Sequence, residues 1–139
     1  MNVKVKDLMV GQVVSTLPHK SIGHAADIMK RNHIKSVPVL NTEKEVVGII
    51  TTADIIKAES DLTPVKKVMT TTVYTVPEYA DVNIPARIMR NHKIHHLVVT
   101  REQKIVGILS SFDLLKLVED HRYVSKNPPS PSKKDSKRQ

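Results

Sequence analysis

The chain says one thing twice. Val46-Val47-Gly48-Ile49-Ile50-Thr51-Thr52-Ala53-Asp54-Ile55-Ile56-Lys57 returns 59 residues later as Ile105-Val106-Gly107-Ile108-Leu109-Ser110-Ser111-Phe112-Asp113-Leu114-Leu115-Lys116. A duplication constrains the fold more than any local propensity does, because both copies must adopt one supersecondary unit and bury their apolar faces together. In each copy an apolar run of strand length meets a hydroxyl residue, Thr51 or Ser110. Three positions on, Asp54 or Asp113 precedes a pair of aliphatics, the pattern of a strand running straight into a helix. The plain account is a capping box, in which the hydroxyl accepts from an orphan amide and the acid reaches back to the cap residue. The functional account adds a ligand. A helix N-terminus just outside a strand end carries unpaired N–H groups and a positive dipole end, and a carboxylate beside it can hold a vicinal diol. One copy alone favours the plain cap; its recurrence inside a longer matching stretch adds weight to a site.

That stretch begins with Val3–Met9 and Thr63–Met69, short helical turns 60 residues apart. The β-branched runs Val13–Pro18 and Thr72–Pro77 follow, each expected to be a strand closed by its proline. An amphipathic helix is expected over residues 21–31, with Ile22, Ala25, Ala26 and Met29 on one face, and its partner over 81–91, with Val82, Ala86 and Met89 inward. Pro85 stands where the first copy has Ala25. With Asp81 as cap, that proline would forfeit a backbone bond, so the second helix is expected to start late, near Asn83. Strands at 36–40 and 96–99 then pass through polar turns at 41–45 and 100–104. The second turn is one residue shorter, which reduces the offset from 60 to 59. The expected organisation is a first repeat over 1–62, a second over 63–121, and a basic, Pro/Ser-rich disordered tail over 122–139.

Composition narrows the function classes. One Phe, three Tyr and no Trp leave an aliphatic core and little material for stacking bases. The absence of Cys excludes disulfides, thiolate nucleophiles and cysteine-based metal sites. No apolar run approaches about 18 residues and the N-terminus has no apolar h-region, so a soluble cytoplasmic protein without membrane contact is expected. The net charge is +8, but five basic residues against one acid lie beyond residue 125. Contact with nucleic acid is therefore expected only through the tail, while the rest of the charge suits anionic small molecules.

A duplicated β-α-β-β-α unit of this kind resembles the CBS domain, and the two copies together resemble a CBS pair, or Bateman module. The match is carried by Met9/Met69, the Val13–Pro18 and Thr72–Pro77 runs, Met29/Met89, Ile34–Val39 with Ile94–Val99, and the Gly48…Asp54 and Gly107…Asp113 units. It covers about residues 3–120. The resemblance implies an α/β (α+β) fold of tandem repeats with pseudo-two-fold symmetry, in which two small three-stranded sheets are flanked by helices. It also implies two clefts between the repeats that bind adenosine-containing ligands such as AMP, ADP, ATP or S-adenosylmethionine. In such pairs the acid of the repeated unit holds the ribose hydroxyls with help from the hydroxyl residue, a role that falls here to Thr51 and Asp54 and to Ser110 and Asp113. Adenine contacts fall to the strands, with Val14, Thr16, Val37 and Thr75 as candidates, and phosphate contacts to His95, His96 and Lys35. If both histidines lie within the strand, only one faces the cleft. His92, His95 and His96 can equally be polar residues at a helix end. No metal site is expected, since no acid or Cys stands near to complete a ligand set.

The leading expectation is a regulatory sensor with no obligatory cofactor. It binds an adenine nucleotide, preferred over S-adenosylmethionine because a sulfonium gains nothing from a basic cluster, and signals to an unidentified protein effector in trans. An enzyme is not expected, since there is no glycine-rich phosphate loop and no nucleophile set outside the clefts. A scaffold or nucleic-acid-binding protein working through its basic tail is the third reading. Ile55, Ile56, Leu114, Leu115 and Val118 on the outer helices point to a homodimer.

Overall fold

A computed structural model describes residues 3–120; the segment 122–139, expected to be a disordered tail, lies outside them. In chain order the elements are α1 (Val5–Leu8), α2 (Ile22–Asn32), β1 (Ser36–Leu40), β2 (Val46–Thr51) and α3 (Thr52–Lys57), then α4 (Val65–Val68), β3 (Thr75–Pro77), α5 (Asn83–His92), β4 (His96–Arg101), β5 (Lys104–Ser110) and α6 (Ser111–Asp120). The mixed α+β architecture with two small sheets and flanking helices is the one the resemblance to the CBS pair implies. Helix α5 starts at Asn83, which puts Pro85 at its third position, where the missing N–H has no intrahelical acceptor to lose. Asp81 is not its cap. Its carboxylate pairs with Lys4 at 2.5 Å, whereas Ser21 of the first copy caps α2 by accepting from the His24 amide at 3.1 Å.

The sheets differ in one respect. β3, β4 and β5 form a three-stranded sheet, β3 parallel and β5 antiparallel to β4, whereas β1 and β2 form an antiparallel pair. The run at Val13–Pro18, expected to be the third strand of the first sheet, contributes a single parallel bridge, Thr16 to Val39. Two ladder bonds form there, from the Thr16 amide to the Pro38 carbonyl (3.0 Å) and from the Leu40 amide to the Thr16 carbonyl (2.9 Å). In the second copy a further bond runs from the Glu78 amide to the Thr100 carbonyl at 2.9 Å. Thr16 corresponds to Val76, so Pro18 occupies the place of Glu78 and has no N–H with which to continue the ladder. Glu78 is also held from its side chain, where buried carboxylate oxygens accept from the Arg101 guanidinium; that pairing keeps the carboxyl below its ordinary pKa.

Two cores form, and each takes an element from the other repeat. Val5 and Leu8 of α1 pack with Val76, Val82, Met89, Leu97, Val99 and Leu109 of the second repeat. Val65 of α4 packs with Ile22, Ala25, Met29, Val37, Val39 and Ile50 of the first. The backbone follows the same exchange. The Val5 and Lys6 amides donate to the carbonyls of Ala80 and Glu78 (both 2.9 Å), and the Val65 and Lys66 amides to those of Lys20 and Pro18 (2.7 and 3.0 Å). Helices of four residues are unstable alone, so α1 and α4 exist because the opposite repeat buries them.

Two glycines admit the exchanged chain. After α1, Val10 pairs with Ile108 through bonds of 2.9 and 3.1 Å, and after α4, Thr70 pairs with Ile49 through two bonds of 2.9 Å. A Cβ at Gly107 would stand 2.6 Å from Met9 Sδ and 2.9 Å from the Val10 carbonyl oxygen; at Gly48 the nearest atoms would be Met69 Sδ at 2.5 Å and the Thr70 carbonyl oxygen at 3.1 Å. The glycine of each repeated unit is therefore the contact point for the other repeat's opening segment.

Candidate functional site

Both repeated turns form the reciprocal cap their spacing predicts. Thr51 Oγ1 accepts from the Asp54 amide at 3.3 Å while Asp54 Oδ2 accepts from the Thr51 amide at 2.9 Å. Ser110 Oγ accepts from the Asp113 amide at 3.1 Å and Asp113 Oδ2 from the Ser110 amide at 2.9 Å. Each aspartate is buried, 4% exposed for Asp54 and 7% for Asp113, and each opens a helix that follows its strand without a loop.

Beyond the cap the two carboxylates differ. Asp54 also accepts from the Thr51 hydroxyl at 3.0 Å and from the Thr70 hydroxyl at 3.3 Å to either oxygen. Asp113 Oδ1 meets the Lys116 ammonium at 3.7 Å. A carboxylate has about four acceptor positions, so Asp113 keeps more of its capacity for a ligand.

A cleft lies in front of each turn. The one beside Asp113 encloses about 580 Å³ and is walled by Val14, Lys35, Ser110, Asp113, His95 and His96. The one beside Asp54 encloses about 330 Å³ and is walled by Thr51, Asp54, Thr70, Tyr74, His95 and His96. The two histidines therefore stand where the clefts meet. β4 starts at His96, so His95 lies in the turn before it, outside the strand alternation that would have sent one of them away. His95 Nδ1 lies 3.2 Å from Ser111 Oγ. Burial holds His96 below its ordinary pKa, reinforced by His95 and Lys35 and opposed by Asp113, so at neutral pH its imidazole is uncharged. Lys35 is the lysine among the residues that wall the larger cleft.

The other adenine candidates sit elsewhere. Val37 is fully buried in the first core, Thr16 is 4% exposed beneath its bridge, and Thr75 is exposed on β3; none of the three lines either cleft. All residues of β1 from Ser36 to Val39 are buried, so the period-two rule cannot say which of them faces a cleft. Thr70, which lines the Asp54 cleft, is not legible as a site residue. Comparing Met69-Thr70 with Met9-Val10 gives the one sequence signal for Thr70, an extra hydroxyl after the second methionine. His92 stacks on Tyr74, ring centroids 4.2 Å apart, and its Nδ1 lies 3.1 Å from the tyrosine hydroxyl. The described residues contain no cluster of three or more potential metal ligands and no helix long and apolar enough to cross a membrane.

Comparison with known proteins agrees with the fold. The family model described as CBS domain matches residues 5–61 and again 65–120. An uncharacterized 17.7 kDa protein of Acidianus ambivalens is 36% identical over 124 residues, covering 86% of this chain and 76% of that protein. A homoserine O-acetyltransferase of Methanosalsum zhilinae is 34% identical over 123 residues, 87% of this chain but 25% of the enzyme, so the chain spans about a quarter of that relative. Among solved structures, the CBS domain pair of protein MJ0100, in complex with 5′-methylthioadenosine and S-adenosylmethionine, superposes with a TM-score of 0.80 at 29% identity, covering 86% of this chain and 98% of that one.

Proposed function

The chain belongs to the CBS domain family, and from that premise we propose that it is a regulatory module whose Asp113 cleft binds an adenosine-containing ligand. One observation carries the reading. Asp113 keeps an oxygen free of the cap in the wall of a cleft of about 580 Å³, beside Ser110 and within the same walls as Lys35. A ribose offers two adjacent hydroxyl donors, and an ionised carboxylate accepts both in charge-assisted bonds. Val14 and Val13 supply an apolar wall for the base.

The ligand best suited to Lys35 is an adenine nucleotide, AMP, ADP or ATP, whose phosphate the ammonium meets while His95 and an uncharged His96 supply hydrogen bonds. A second reading, S-adenosylmethionine or methylthioadenosine, is favoured by the likeness to the MJ0100 pair and by the neutrality of His96, which removes part of the positive charge a phosphate would meet. Calorimetric titration of AMP, ADP, ATP, S-adenosylmethionine and methylthioadenosine into wild type and Lys35→Ala separates them. The nucleotide reading expects affinity that rises with phosphate and falls in the variant. No heat with any of the five, together with an unchanged melting temperature, refutes the function.

Ligand binding between the repeats would bias how they sit together, and a protein partner would read the difference; the role is regulatory rather than catalytic. Self-association is part of the reading. Of the aliphatics expected on the outer helices, Ile55 and Leu114 are half-buried, while Ile56, Leu115 and Val118 are exposed, as is Phe112. A second copy is the occupant proposed for these exposed side chains.

A further inference from the structure

We propose that the two clefts are unequal by construction: the Asp113 cleft takes the ligand, and the Asp54 cleft is narrowed from within by Tyr74 and its acid engaged by Thr70. The proposal rests on the adenosine reading above and adds which cleft answers to it and which side chains decide.

The chain supplies its own comparison, because each residue of one cleft has a counterpart in the other. Thr70 follows Met69 as Val10 follows Met9, and each is the residue whose backbone pairs with the glycine-bearing strand of the opposite repeat. At Thr70 the side chain donates to Asp54, 3.3 Å from both carboxylate oxygens. Val10 has no such donor. A ribose entering the Asp54 cleft would therefore compete with three groups already donating to the acid: the Thr51 amide, the Thr51 hydroxyl and the Thr70 hydroxyl. In the Asp113 cleft it meets a carboxylate engaged by one backbone amide and a lysine 3.7 Å away.

The second difference is volume. Tyr74 lines the Asp54 cleft at the place where Val14 lines the Asp113 cleft. Its ring is fixed there by stacking on His92 at 4.2 Å and by the contact of its hydroxyl with His92 Nδ1 at 3.1 Å. The smaller cleft encloses about 330 Å³ against about 580 Å³ in the larger. An aromatic ring thus narrows the apolar wall where the larger cleft has a valine, and a hydroxyl engages the acid a sugar would need.

Calorimetric stoichiometry tests this on the full chain with AMP, S-adenosylmethionine and methylthioadenosine as probes. Wild type is expected to bind one ligand per chain and the double variant Thr70→Val/Tyr74→Val, which copies Val10 and Val14, two. Thr70→Val alone is measured alongside, in case loss of the tyrosine ring weakens folding, and a second, weaker site is expected in it. Asp113→Asn is expected to weaken the wild-type site by about tenfold or more, and to leave the double variant with its new site. Two equal sites in wild type, or one unchanged site in both Thr70 variants, overturn the proposal while the adenosine reading stands. Loss of the wild-type site in the double variant overturns it too, since Tyr74 would then be a stacking platform. No heat with any probe in any variant refutes the adenosine reading and the proposal together.

Discussion

Replacing Gly107 by alanine tests the exchange of α1 and α4 at the point where it is tightest. The new methyl would stand 2.6 Å from Met9 Sδ, 3.1 Å from Met9 Cγ and 2.9 Å from the Val10 carbonyl oxygen. The methionine can rotate away. The carbonyl cannot, because the Ile108 amide donates to it at 3.1 Å while the Val10 amide donates to the Ile108 carbonyl at 2.9 Å. Relief therefore means moving the α1 segment as a whole. Overpacking of this kind costs about 1–3 kcal/mol, and weakening two backbone bonds adds about 1 kcal/mol, giving about 2–4 kcal/mol in all. For a chain of this size that lowers Tm by about 6–12 °C. Gly48→Ala meets a flexible thioether at 2.5 Å and a carbonyl only at 3.1 Å, so about 1–2 kcal/mol is expected. Gly11→Ala has nothing within 4 Å among the described residues and is the control, expected within about 0.5 kcal/mol of wild type. Urea unfolding followed by far-UV circular dichroism measures all three. A Gly107→Ala chain as stable as Gly11→Ala would show that the opening segment does not lie against β5.

Thr16 carries a buried hydroxyl with no hydrogen-bond partner among the described residues where the second copy has Val76, so Thr16→Val should stabilise the chain by about 1 kcal/mol in the same unfolding experiment. His96, held below its ordinary pKa, binds its proton more readily unfolded than folded. Its contribution to stability is therefore full above the unfolded value of about 6.5 and is lost as pH falls from there toward the folded value; melting temperatures of His96→Gln against pH should lack that decline. An anionic phosphate in the cleft would raise the His96 pKa and a sulfonium would not, so imidazole NMR titration with AMP and with S-adenosylmethionine gives opposite results for the two ligand classes. The turn Glu102-Gln103 has positive φ at both residues, 50° and 69°, between the paired Arg101 and Lys104; Gln103→Gly should raise stability by about 0.5–1 kcal/mol by thermal unfolding.

What the sequence determined lies within a few residues of itself. The caps of Asp54 and Asp113 join groups three positions apart, and the late start of α5 follows from Pro85 alone, so spacing and residue type suffice for both. The duplication showed that both copies share one supersecondary unit, and the pairing of strands into two small sheets came from the resemblance to the CBS pair. Three things needed the tertiary structure. Pro18 and Pro77 look equivalent in the sequence, yet the fold sets Pro18 against Glu78, and the missing amide shortens one sheet. Nothing local assigns α1 and α4 to the opposite repeat's core, since both turns are apolar on one side and either core would accept either. The inequality of the clefts depends on Thr70 reaching Asp54 across 16 residues and on Tyr74 meeting His92 across 18. Local patterns fix which groups a segment offers, but which of those groups meet is decided by close packing between segments that are far apart in the chain.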